Sequence, residues 1–178
     1  MSFAPLAEKL RPIKIDDFVG QKEISSVVKS LLTQSKKSDF FPSLILWGPP
    51  GSGKTTLAHI IALGLGRKFY EFSAVNTSTK EVEKIIPHKE ASRTGGFDFI
   101  NDREEKKAPV VFIDEIHRFN KAQQDSLLPH VERGDIVFIG ATTENPSFEV
   151  IAPLMSRCRV LILNRHEDED FSSREIHF

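Results

Sequence analysis

Short apolar runs alternate with amphipathic stretches along most of this chain. Ile24, Val27, Val28, Leu31 and Leu32 fall on one stripe with Lys22, Glu23 and Lys29 off it, which predicts a helix over Gln21–Ser38, closed by serines and Lys36–Lys37. Ser43–Trp47 is an apolar run suited to a buried strand. Leu57, Ile60, Ile61 and Leu65 recur at helical spacing over Thr55–Leu65, and Gly64 and Gly66 mark that helix's end. Lys68–Ser73 alternates as a strand. Ser78 and Glu81 have the spacing of a capping box before a helix with Val82, Ile85 and Ile86, which Pro87 ends. Pro109–Asp114 is a second buried strand. Asn120 and Gln123 open a helix with Leu127, Leu128 and Val131, and Pro129 kinks or ends it. Ile136–Ala141 is a further strand, Ser147–Met155 is short and partly helical, and Arg159–Leu163 is the last strand.

The remaining segments lack a period. Met1–Gly20 reads as an ordered arm in which Pro12 holds Arg11 extended. Residues 88–108 are polar and include the mixed-charge run Asp102–Lys107, a solvated loop with or without a short helix. Asn164–Phe178 is charged and expected to be loosely ordered. Five strands alternating with helices predict an α/β fold, a three-layer sandwich with a five-stranded parallel sheet covered on both faces. The core domain spans 1–163, with 1–20 as its arm and 164–178 as a tail.

Composition narrows the class. At 178 residues, 39% hydrophobic and 28% charged, the chain reads as one soluble globular domain with a sizeable core. A net charge of −1 gives no global basic field, so any DNA contact would need a local patch. The single Cys158 excludes an intrachain disulfide, fits a reducing compartment and reads as a core residue. Glu8, Lys9 and Arg11 stand where a signal peptide needs apolar residues, and no stretch is long enough to span a membrane.

The chemistry centres on LILWGPPGSGKTT, Leu44–Thr56. Gly48, Gly53, Lys54 and Thr55 fill the spacing of a phosphate-binding loop between strand and helix. Gly51 and Gly53 let the backbone wrap a phosphate, and bared N–H groups at the helix start present partial positive charge to it. Lys54 adds a full charge for the β- and γ-phosphates, and the Thr55 hydroxyl is a Mg²⁺ ligand candidate. About 60 residues later Asp114–Glu115 ends an apolar strand, at the carboxyl end where parallel sheets bind ligands. Asp114 would hold Mg²⁺ through its water shell, and Glu115 would orient or deprotonate the attacking water. Thr142, Thr143, Glu144 and Asn145 end another strand. A hydroxyl or amide there is placed for the γ-phosphate or the attacking water, and a Thr-Thr-Asx turn explains either threonine equally well. His117 and Arg118 have no second histidine or cysteine at metal spacing and read as structural or coupling residues.

With these residues in hand, the sequence resembles the AAA+ ATPase module, a P-loop NTPase fold. Within it the chain is similar to the replication-associated recombination protein A family, whose eukaryotic relatives are the Werner-helicase-interacting proteins. The carrying strings are LAEKLRP, DDFVGQ, LWGPPGSGKTTLA, FIDEIHRFNKAQQDSLLPHVERGDI, IGATTENPSFEV and APLMSRCRV, over roughly residues 4–163. The resemblance implies that Arg11, Pro12, Phe18, Val19 and Gly20 cup the adenine and ribose. It implies that Pro50, Gly51, Ser52, Gly53, Lys54, Thr55 and Thr56 hold the phosphates, with Thr55 and Asp114 on Mg²⁺ and Glu115 catalytic. Thr143 matches sensor 1 better than Thr142. Ser73 is similar in position to the residue that restrains the catalytic glutamate until DNA binds. Arg157 resembles an arginine finger that acts in trans on a neighbouring subunit.

The family continues into a helical lid with a sensor 2 arginine and into tetramer-forming domains. HEDEDFSSREIHF does not read as a lid, so the lid is expected to be absent and the chain to be a fragment or to have an aberrant end. No cysteine cluster of the eukaryotic ubiquitin-binding zinc finger precedes the arm, which favours a bacterial-type, cytoplasmic, nucleoid-associated member over a nuclear one. The implied function is ATP hydrolysis in a replication, recombination or repair factor acting on DNA forks, ends or gaps, with single-strand-binding protein among its partners and homo-oligomers in the family. The alternatives are a clamp-loader-like assembly subunit that binds ATP without efficient hydrolysis, and a phosphotransferase, for which no acceptor pocket is visible.

Overall fold

A computed structural model describes residues 12–86 and 107–164. Strands β1 (Ser43–Trp47), β2 (Phe69–Ser73), β3 (Val110–Asp114), β4 (Val137–Thr142) and β5 (Cys158–Ile162) form one sheet in the order β2-β3-β4-β1-β5. Every pairing is parallel. Helices α1 (Lys22–Ser38), α2 (Lys54–Leu65), α3 (Thr79–Ile85) and α4 (Lys121–Arg133) connect them, with short helices α5 (Pro146–Glu149) and α6 (Ala152–Met155). Single 3₁₀ turns occupy Ile15–Asp17 and Ile116–Arg118.

Successive strand residues point to opposite faces, so a strand that is apolar throughout must be covered twice. Leu44 and Leu46 of β1 join Phe112 and Ile139 in a core beneath α1 and α2, closed by Leu31, Leu57 and Ile61. Ile45, Val111, Ile113 and Phe138 face the other way, against Val82, Leu127 and Leu154 of α3, α4 and α6. The expected three-layer sandwich is therefore present. The central strands β1, β3 and β4 are almost wholly buried, while β2 and β5 form half-buried edges.

The two expected capping boxes, Ser78 with Glu81 and Asn120 with Gln123, both form. Pro129 does not end its helix. α4 runs on to Arg133, and Gly134, at φ +67°, closes it with its N–H on His130 and Val131 carbonyls. One missing N–H is tolerated inside a helix whose two ends are both capped. Arg11, Pro87, the loop over 88–106 and the tail beyond Asn164 lie outside the described residues.

Candidate active site

All five strands run one way, so their carboxyl ends share a single rim. β1 runs into the loop Gly48–Gly53, while β3 and β4 deliver Asp114–Glu115 and Thr142–Thr143. Trp47 pairs with Thr142 and Ile113 with Gly140, so only β4 separates the loop's strand from the acid pair's strand. A cleft of about 380 Å³ opens there, lined by Pro50, Gly51, Gly53, Lys54, Thr55, Thr56, Asp114 and Glu115.

The loop is built as an anion cradle. Gly51 and Gly53 adopt φ +77° and +91°, and a Cβ on Gly51 would meet nothing within 4 Å. Gly53 caps α2 without a side-chain bond. The first intrahelical bond runs from Leu57 N–H to Gly53 C=O at 2.8 Å, leaving the Lys54, Thr55 and Thr56 N–H groups at the open helix start. Lys54 is buried and donates to the carbonyls of Gly48 at 2.8 Å and Pro49 at 2.9 Å. Burial pushes its pKa below the ordinary lysine value, and the carboxylates of Asp114 and Glu115 oppose that shift. A cation desolvated among backbone carbonyls opposite two acids fits a site that binds a polyphosphate with a divalent ion. Thr55 and Asp114 are the residues that could hold Mg²⁺, through a hydroxyl and a carboxylate. Ser52 turns away from the cleft. Its hydroxyl is fully buried and has no hydrogen-bond partner, and its N–H donates to Pro49 C=O at 3.3 Å.

Glu115 carries the one strained backbone in the rim. It sits in the left-handed region at φ 55°, ψ 45°, which for a glutamate costs about 1–3 kcal/mol. The turn aims its carboxylate at His117 Nε2, 3.1 Å away. His117 Nδ1 in turn lies 3.0 Å from the Thr142 hydroxyl. Thr142 is fully buried and its hydroxyl also accepts the Glu144 N–H at 3.0 Å, whereas Thr143 is half-buried. Ser73 pairs with Asp114 across β2 and β3, and among the described residues its side chain makes no hydrogen bond to Glu115.

The other expected residues lie further out. Phe18 is buried in the core beneath α1 and α2, so its ring supports the arm from inside. Val19 is 76% exposed, and Gly20 turns the chain at φ +78°. Gln21, which sequence reasoning passed over, ties the arm to the sheet. Its side chain donates to Asn164 C=O at 2.7 Å and accepts Asn164 N–H at 3.3 Å. Leu163, next to Asn164, donates to Trp47 C=O at 2.7 Å, at the entry to the loop. No periodicity announces a bond across 143 residues. Arg157 does not reach the cleft. It precedes β5, and Cys158 pairs with Ser43 at the opposite end of β1, a strand length of roughly 13 Å at about 3.3 Å per residue. There it lines a second cleft of about 390 Å³ with Arg67, Glu132 and Val137. Its guanidinium bonds Pro153 C=O at 2.8 Å and pairs with Glu132 at 2.5 Å. Among the described residues no group of three or more metal-ligating side chains occurs, and no helix is long and apolar enough to cross a membrane.

The chain is similar to known proteins in sequence and fold. The family described as ATPase family associated with various cellular activities (AAA) matches residues 44–165. Replication-associated recombination protein A of Escherichia coli K12 is 42% identical over 169 residues, which is 95% of this chain and 35% of that protein. ATPase WRNIP1 of Dictyostelium discoideum is 43% identical over 175 residues, 97% of this chain and 18% of that one. The chain thus spans about a third or less of the length of these curated relatives. Among solved structures, the Thermotoga maritima RuvB Holliday junction branch migration motor superposes with a TM-score of 0.65 at 34% identity, over 88% of this chain and 48% of that one. The chain belongs to the AAA family of ATPases and, within it, to the group of replication-associated recombination protein A and WRNIP1.

Proposed function

We propose that this chain is the ATP-binding and ATP-hydrolysing module of a replication, recombination or repair factor that acts on DNA at stalled forks or ends. The observation that carries the hydrolytic reading is Lys54 facing Asp114 and Glu115 across one cleft at an uncapped helix start. In this reading the loop N–H groups and Lys54 take the β- and γ-phosphates, and Lys54 gives up its two carbonyl partners to do so. Mg²⁺ held through Thr55 and Asp114 would neutralise charge developing on the phosphate oxygens. Glu115 orients the attacking water and accepts its proton, and Thr143, half-buried at the end of β4, stands toward the γ-phosphate. The DNA part rests on the names of the relatives alone.

The test is steady-state ATP hydrolysis with and without forked or gapped DNA, beside Glu115→Gln, with mass followed by light scattering. Glu115→Gln should bind ATP normally and lose at least about a hundredfold in turnover, the usual contribution of a positioned base. Unchanged hydrolysis in that variant would sink the assignment. A second reading is a nucleotide-gated assembly subunit. The position of Arg157 favours it, because a lone chain's cleft lacks that cation. Stoichiometric retention of unhydrolysed ATP by a monomer would select it.

A further inference from the structure

His117 is not among the residues that line the cleft, yet its Nδ1 meets the Thr142 hydroxyl, its Nε2 lies 3.1 Å from the Glu115 carboxylate, and its side chain is only 9% exposed. It is the side chain that meets the Glu115 carboxylate among the described residues. We infer that His117 is a positioning residue: it braces Glu115 at the end of β3 against Thr142 at the end of β4, so that the two strand ends hold the base as one unit. This rests on the reading of Glu115 as the group that handles the attacking water.

Donor counting supports the brace. The Thr142 hydroxyl has one hydrogen, and its oxygen already accepts the Glu144 N–H at 3.0 Å. With its proton on Nε2, the imidazole accepts the Thr142 O–H at Nδ1 and sets Nε2 at ion-pair distance, 3.1 Å, from the Glu115 carboxylate. The bonds then run in one direction, from Glu144 N–H through Thr142 to His117, whose other nitrogen lies beside the Glu115 carboxylate. With both nitrogens protonated, His117 donates to Thr142 and the hydroxyl turns to Glu144 C=O, 3.2 Å away. Nε2 stays beside the carboxylate in either state. A base held by a third group is the general arrangement of an activated water or nucleophile. It matters here because Glu115 sits on a left-handed backbone turn just past the end of β3. Ser73, the position expected to restrain Glu115, is aligned with Asp114 instead.

The experiment measures kcat and KM for ATP in the full chain for His117→Ala, His117→Gln, Thr142→Val and the Ala/Val double variant, with Glu115→Gln as control. His117→Ala should lower kcat about ten- to a hundredfold at unchanged KM, since misplacing a reacting group by 1 Å costs on the order of 10². His117→Gln, whose amide N–H reaches toward Glu115, should recover part of the loss. The double variant should be no worse than His117→Ala, because both changes break one chain of bonds. Equal turnover, a gain in turnover, or a matching rise in KM for His117→Ala would each overturn the brace. Hydrolysis surviving in Glu115→Gln would instead overturn the reading of the base. Where turnover is too slow to rank the variants, ¹⁵N resonances of the His117 ring decide. Thr142→Val should shift Nδ1 and Glu115→Gln should shift Nε2, and a ring insensitive to both refutes the inference.

Discussion

Gly48→Ala is the sharpest structural test of the phosphate loop. Gly48 is not a left-handed residue, so its requirement is steric. A Cβ there would lie 2.4 Å from Leu163 C=O, 3.1 Å from Leu163 Cβ and 3.1 Å from Ser52 Oγ. The first contact is with backbone, which cannot rotate away. Leu163 is itself pinned by its 2.7 Å bond to Trp47 C=O, and Gly48 by its N–H on Thr142 C=O at 3.2 Å. The methyl must push the β1 exit away from the β5 exit. Overpacking of this kind costs about 1–3 kcal/mol. For a chain of this size that lowers Tm by about 4–8 °C at 2 kcal/mol. The same displacement moves the Gly48 carbonyl that holds Lys54, so nucleotide-induced stabilisation should shrink as well. For an intact site it amounts to about 2.7 kcal/mol at a ligand concentration of 100 Kd. The assay is thermal unfolding with and without an ATP analogue. Gly51→Ala is the comparison, since space is open there and the obstacle is φ +77°, about 1–2 kcal/mol for an alanine. Asparagine tolerates that backbone and should rescue position 51 but not position 48. A Gly48→Ala chain with parental Tm and parental nucleotide shift would refute the steric account.

Lys54→Met keeps the bulk of the side chain, and should abolish the nucleotide-induced thermal shift. It should also change the pH dependence of stability. The folded pKa of Lys54 lies below the ordinary 10.5, so between the two the unfolded chain binds more protons and stability rises with pH. Cys158 acts oppositely, because burial pushes its thiol from 9.0 to about 12 and stability falls as pH climbs above 9.0. Urea midpoints across the alkaline range should therefore rise less, or fall more, in Lys54→Met than in the parent, and parallel curves would contradict the shift. The same partly buried thiol, with its pKa raised, should react with iodoacetamide more slowly in the folded chain at neutral pH than in urea, so equal labelling rates in the two states would contradict the shift. Arg157→Ala breaks a half-exposed ion pair with Glu132, worth about 0–1 kcal/mol and weakened by salt. Its loss should leave ATP binding intact and reduce hydrolysis, on the order of 10³-fold or more, only where subunits adjoin. An equal loss in a proven monomer would end the trans assignment.

What the sequence determined by itself is local. The loop spacing around Lys54, the apolar run ending in Asp114–Glu115, and the two capping boxes each lie within a dozen residues, where backbone preference and side-chain reach settle the outcome. The alternation of strands and helices was legible for the same reason and led to the parallel sheet. Pro129 marks the limit of that reading, since its cost is absorbed by a helix capped at both ends. Tertiary structure alone decided which strand ends meet. The order β2-β3-β4-β1-β5 places the β4 terminus between loop and acids, although it follows Asp114 in the chain. It brought His117 onto Thr142, sent Arg157 to the far end of β1, and joined Gln21 to Asn164. These contacts depend on sheet order and register, which are set by packing two apolar faces of the whole chain. No short window of sequence contains both partners.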